Sequence, residues 1–149
     1  MLRNTIILVL GLMALGLGLN SCGASKRKPA EIPLYEVLTH QPDGGGNLHF
    51  YEILTQGKEI HMLLNDPHLK NKVKPDDAAT CNFIVFNLGE QNTPGWQLKV
   101  LGARETADSI ILTVEEVGPK NTQYDYMPDD VTFPYCVVRV NSKKNIVIE

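Results

Sequence analysis

From residue 34 onward the apolar residues fall in short alternating runs, most of them closed by Gly, Pro or Asn. This rhythm constrains the fold most, because alternate side chains of an extended chain point to opposite faces. Residues 34–38 and 48–54 read as strands, separated by the turn formers Pro42-Asp43-Gly44-Gly45-Gly46-Asn47. One stretch has a different period. Thr55 is placed to cap a helix through Lys58, Ile60, Met62, Leu63 and Leu64, and Pro67 ends it. Residues 69–77 are polar, contain Pro75 and read as a connecting loop. Residues 80–88 are strongly apolar and predict a central strand. Residues 96–101 and 110–117 predict two more, joined around Thr106-Ala107-Asp108-Ser109. Trp96, Leu98 and Val100 share one face, and Ile110, Leu112 and Val114 form a matching one. Gly118 and Pro119 break the pattern, and residues 121–133 form a long polar and aromatic loop. Residues 134–140 and 145–149 read as a strand and a last edge strand. The sum is an α+β, β-dominated fold: a small antiparallel sheet or sandwich with one helix.

The first residues obey another logic. Arg3 is followed by an apolar run from Thr5 to Leu19, ended by Asn20-Ser21. A spanning helix needs roughly 20 apolar residues. A basic start, a shorter apolar core and a small residue before a cut site describe a secretory signal peptide. Leu19-Asn20-Ser21-Cys22 resembles the lipobox of bacterial lipoproteins. That resemblance implies cleavage before Cys22 and acylation of its thiol, so that the lipid bilayer becomes a partner of the chain. One acyl chain holds a protein only weakly, and stable attachment needs a second signal. Residues 1–21 are then the signal peptide, 22–33 a flexible tether and 34–149 a single β-rich domain. Lys26, Arg27 and Lys28 in the tether could meet anionic headgroups or serve as a solvated spacer. The expected location is the cell envelope, with the chain lipid-anchored and facing the periplasm or the exterior.

A formal net charge of −3 and no clustered basic surface argue against nucleic acid as a partner. Besides Cys22 the chain has Cys81 and Cys136. An oxidising compartment would permit a disulfide between them. Their place in apolar runs equally fits two separate buried thiols.

Chemistry is sparse. Ser25, Ser109 and Ser142 sit in the tether or in turns, and none lies in a nucleophile elbow. His40, His49, His61 and His68 have no metal-ligand spacing. The acid pairs Asp76-Asp77, Glu115-Glu116 and Asp129-Asp130 read as solvated, and Gly44-Gly45-Gly46 precedes no helix that could cradle phosphate. No cofactor, metal or catalytic residue is expected, and the chain does not read as an enzyme. Two surfaces invite a protein partner. One is the turn Asn92-Thr93-Pro94-Gly95-Trp96, where Trp96 is either an interface anchor or the first inward residue of its strand. The other holds Tyr124 and Tyr126, as a recognition surface or as a loop packing its own aromatics.

The pieces Phe83-Ile84-Val85-Phe86, Leu88-Gly89-Glu90, Thr93-Pro94-Gly95-Trp96, Gly118-Pro119 and Phe133-Pro134-Tyr135 follow one another in a set order. With the strands between them, over about 80–141, they resemble the C-terminal domain of the PrcB-like protease-complex subunits. Pro94 stands where that family has a glycine and Trp96 where it has a tyrosine, so the turn must differ there. The resemblance implies a membrane-anchored, non-catalytic partner or stabiliser of an exported protease. The turn is also similar to the one that chagasin-type inhibitors of cysteine proteases insert into the active-site cleft, which implies a protease inhibitor as an alternative. A structural envelope lipoprotein is the remaining alternative.

Overall fold

The computed structural model describes residues 32–120 and 131–149. The signal segment, Cys22, nearly all of the tether, Tyr124 and Tyr126 lie outside the described residues. Seven strands run in chain order: β1 (Tyr35–Gln41), β2 (His49–Leu54), β3 (Asn82–Leu88), β4 (Gln97–Glu105), β5 (Ser109–Val117), β6 (Tyr135–Val140) and β7 (Asn145–Ile148). A short helix α1 (Gly57–Leu63) and two 3-10 turns, Pro67–Leu69 and Pro75–Ala79, stand between β2 and β3. One sheet has the order β1-β6-β3-β2 and is antiparallel throughout. The other has the order β4-β5-β7, in which β4 and β5 are antiparallel and β7 runs parallel to β5. The strand-dominated α+β sandwich with one helix is as the alternation predicts. The parallel pairing of β7 is an addition that alternation alone does not specify.

The central strands of the four-stranded sheet are buried on both faces, which explains why β3 is so apolar. Phe83 and Val137 face the helical layer and pack with Leu38, Leu54, Ile60, Leu63, Leu69, Val73 and Cys81. Ile84, Phe86, Leu88, Cys136, Val138 and Val140 face the other way, onto Leu98, Ile110 and Leu112 of the second sheet. Trp96, Val100 and Val114 pack against this second cluster, as their shared face requires. Burying a side chain such as Leu, Ile or Phe stabilises by about 1.5–3 kcal/mol, so the two clusters together carry most of the fold.

Local chemistry corrects two details and decides a third between two open readings. The helix cap moves by one residue: Gln56 is the N-cap, and the amides of Thr55 and Gln56 both donate to the Glu59 carboxylate at 3.0 Å. Those backbone donors hold the Glu59 carboxyl below its ordinary range, the Gln56 amide foremost. Residues 69–77 are not a plain polar loop, because Leu69 and Val73 are buried in the core beneath the 3-10 turns. Cys81 and Cys136 are free thiols, one packed under the helices and the other between the sheets. The two thiols therefore do not meet, and separate burial is the arrangement found.

Glycine matters most in the loop between β1 and β2. A Cβ on Gly45 would lie 2.8 Å from the Phe133 carbonyl oxygen, 2.9 Å from Asn87 Oδ1 and 3.1 Å from Tyr135 Cβ. Gly102, at the irregularity of β4, has nothing within 4 Å of such an atom. Gly45→Ala is expected to lower stability by about 1–3 kcal/mol, the usual cost of overpacking. Gly102→Ala is expected to change it by less than about 1 kcal/mol. Urea unfolding of the two variants measures both, and a neutral Gly45→Ala would mean that the loop is not fastened in this way.

Candidate recognition surface at one end of the sandwich

Three segments meet where β1, β3 and β5 end: residues 42–48, residues 89–96, and residues 118–120 with 131–134. Their backbone groups are tied to one another rather than left to water. Gly45 N–H donates to the Phe133 carbonyl at 2.7 Å, and Asp43 Oδ1 accepts from Phe133 N–H at 3.0 Å. Gly46 N–H donates to Asn87 Oδ1 at 2.8 Å. Gln91 and Thr132 exchange two backbone hydrogen bonds of 2.9 Å each. Glu90 N–H reaches the Asn47 carbonyl at 3.2 Å. The glycine-rich loop, read from sequence only as turn formers, is thus the brace of this end.

The turn that carries Trp96 is built into the same brace. Gly95 has φ +99°, in the left-handed region, which suits glycine. The Trp96 indole N–H donates to Thr93 Oγ1 at 3.0 Å. Its ring lies over Gly118, where an added Cβ would be 3.2 Å from ring carbons. Trp96 is half-buried and packs against the inter-sheet cluster. Asn92, Pro94 and Gly95 are exposed, and Thr93 is half-buried. Pro119 packs close to Gly95. The turn therefore touches both described ends of the loop that contains Tyr124 and Tyr126, at Gly118-Pro119 and at Thr132. The two tyrosines themselves lie outside the described residues.

The ionisable groups here do not form a reactive set. His49 Nε2 and Glu116 Oε1 lie 2.6 Å apart in an exposed pair across the two sheets. Among the described residues no three His, Cys, Asp or Glu side chains are grouped to hold a metal. The strongest shifts belong to structural groups. Burial pushes the Cys136 thiol up to about 12, which keeps it protonated and a poor nucleophile. Burial, then a 3.0 Å hydrogen bond to Asp66, pushes the Tyr135 hydroxyl up to about 12. Asp66 also accepts from His68 N–H, so this contact ties the turn Pro67–Leu69 to β6. What this end offers is shape, hydrogen-bonding groups and a half-buried indole.

Residues 82–141 match the protein family described as PrcB C-terminal. The chain carries a PrcB-like C-terminal domain. The match begins at the start of β3 and ends one residue beyond β6, so it includes the Trp96 turn and the long loop. An uncharacterized protein of Methanocaldococcus jannaschii is 33% identical over 63 residues, 42% of this chain. The match spans 36% of that relative's length. No solved structure matches.

The buried thiol gives this region a pH signature. A group whose pKa is raised by folding stabilises the fold below its unfolded value and ceases to do so as pH rises through the folded value. Cys136 should therefore contribute fully below pH 9.0 and lose its contribution as pH climbs towards about 12. Tyr135 follows from 10.0 upward. The urea midpoint is expected to fall across this window, and in Cys136→Val the fall should begin nearer 10.0, the ordinary tyrosine value. In the native protein at pH 8, Cys136 should resist iodoacetamide until urea unfolds the chain. Prompt labelling without unfolding would contradict its burial.

Proposed function

We propose that this chain is the lipid-anchored, non-catalytic binding subunit of an exported protease complex, held at the envelope by acylated Cys22. The match to the PrcB C-terminal family supports association with a protease complex. The observation that carries the binding role is the mutual bonding of residues 42–48, 89–96 and 131–134 beside a half-buried Trp96. Loops braced in this manner lose little freedom on docking, and part of a tryptophan ring at the surface is a typical interface anchor. The partner-facing residues are Asn92, Thr93, Pro94, Gly95 and Trp96, with Tyr124 and Tyr126 from the adjoining loop. The lipobox-like Leu19-Asn20-Ser21-Cys22 supports the anchor.

A second reading rests on the same tryptophan. Its hydrogen bond to Thr93 and its packing over Gly118 favour a structural role, in a tethered envelope protein without a protease partner. The two readings separate in intact cells. A photo-crosslinking residue at Asn92 or Pro94 of the full chain should capture an exported protease. Trp96→Ala should abolish that capture while the domain still melts cooperatively. If Trp96→Ala instead destabilises by about 2 kcal/mol or more, as for a core aromatic, and nothing is captured from either site, the structural reading holds. The anchor has its own assay. Cys22→Ser should stop incorporation of labelled palmitate and move the chain from the membrane to the soluble fraction. Unchanged fractionation would refute acylation at Cys22 as the tether.

A further inference from the structure

An unpaired strand edge is a template for another chain, and proteins usually blunt it with a bulge, short length, lysine or proline. The two sheets present β1, β2, β4 and β7 at their edges. Three of these are blunted. The register of β1 slips between Val37 and Thr39, and that of β4 between Val100 and Gly102, with Lys99 and Arg104 along it. β7 has four residues. β2 has no bulge, lysine or proline, and its one acidic side chain is Glu52. Its six residues pair with β3 in unbroken register and include no Lys, Arg, Pro or Gly. Along and before it, Leu48, Phe50 and Tyr51 are 74%, 44% and 53% exposed.

Beside β2 the two sheets leave a groove of about 210 Å³, lined by Tyr51, Phe86, Leu88, Leu98, Val114 and Ile148. At the other end of β2 a second hollow is lined by Ile53, Thr55, Asn82 and Ile146, with Lys143 and Lys144 at its margin. Lys144 pairs with Glu105 at 2.8 Å. Lys143 Nζ donates to the carbonyls of Thr55 at 2.7 Å and Cys81 at 3.3 Å; among the described residues no carboxylate lies within 4.0 Å of it, and Glu59 feels its charge only from farther off. Asn82, 3% exposed, lines the same hollow, and its Oδ1 has no hydrogen-bond partner among the described residues.

We propose that β2 is an acceptor edge for strand addition: it takes an extended segment of a partner polypeptide, apolar at alternate positions and acidic at the end beside Lys143. The backbone groups of an edge strand are matched only by another backbone, and the adjoining groove then receives every second side chain of the added strand. An acyl tail would fill the groove and leave the edge unpaired. A second copy of this chain would bring its own β2, whose single acid, Glu52, lies mid-strand and supplies nothing next to Lys143.

The test is amide hydrogen exchange on the isotope-labelled full chain. The probe is an N-acetylated octapeptide of alternating valine and threonine ending in glutamate. Two twins carry N-methyl groups on one or the other set of alternate residues. The peptide is expected to slow exchange in residues His49–Leu54 by about tenfold or more at millimolar concentration. At least one N-methylated twin should fail to do so. Phe50→Lys and Tyr51→Lys, shown to be folded by their melting curves, should lose the protection. Lys143→Glu should weaken the glutamate-ended peptide and favour a lysine-ended one. No protection at millimolar peptide overturns the proposal, as does equal protection by both twins. Protection by decanoate alone would assign the groove to an acyl chain. Protection that grows with protein concentration, without peptide, would assign the edge to a second copy. Either of those results also rejects the partner strand.

Discussion

The pairing of β3 with β6 is the contact on which the other elements depend. These strands are separated in the chain by the whole β4–β5 hairpin, yet they run side by side at the centre of the four-stranded sheet. Each is apolar on both faces. Phe83 and Val137 give the helical layer its floor, while Ile84, Phe86 and Val138 give the hairpin a surface to close over. An isolated hairpin is marginal in water, so β4 and β5 need that surface. A segment as short as α1 is equally unable to persist without packing. The region matching the PrcB C-terminal family contains both central strands, but Leu54, Ile60, Leu63, Leu69 and Val73, which cover Phe83, come from outside it. The matched segment is thus the middle of a larger folding unit, completed by chain on both sides.

Most of the strands were legible because a half-buried strand writes its face directly into the sequence. Leu98, Val100, Ile110, Leu112 and Val114 share one cluster as their alternation requires. What escaped was decided by tertiary contact. Leu69 and Val73 stand among polar residues, and only the fold of the two 3-10 turns carries them inward. The parallel pairing of β7 depends on where β6 releases the chain, which no local pattern records. Cys81 and Cys136 both lie in apolar runs, and a sequence cannot tell which side of a sheet each will occupy. The candidate site was legible as a turn of unusual residues. Its brace was not, because the bonds from Gly45 and Asp43 to Phe133 join positions far apart in the chain.

Trp96 shows how one residue can serve packing and presentation together. The indole N–H is satisfied within the turn by Thr93, and the ring rests on Gly118, where an added Cβ would lie 3.2 Å from ring carbons. Such a ring keeps its orientation in the absence of a partner. An anchor fixed before docking loses less conformational entropy on binding than one that must be ordered at that moment. The same contacts tie the indole to Thr93 and Gly118, whereas Asn92 and Pro94 are exposed beside it.

The braced loop end and the open edge of β2 form one continuous surface. Gly89, with φ +72°, packs so tightly against the start of β2 that an added Cβ would be 2.8 Å from the His49 backbone nitrogen. Glu90 is bonded to Asn47, two residues before the strand. The first residues of β2 are therefore held by the turn that leads to Trp96, and His49 is further tied to Glu116 of the opposite sheet. An edge strand fixed at one end keeps its register, which an edge needs if it is to select a particular incoming sequence. The absence of a bulge in β2 and the rigidity of the loops beside it thus have a common physical consequence: both keep a surface that is poor in reactive groups constant in shape.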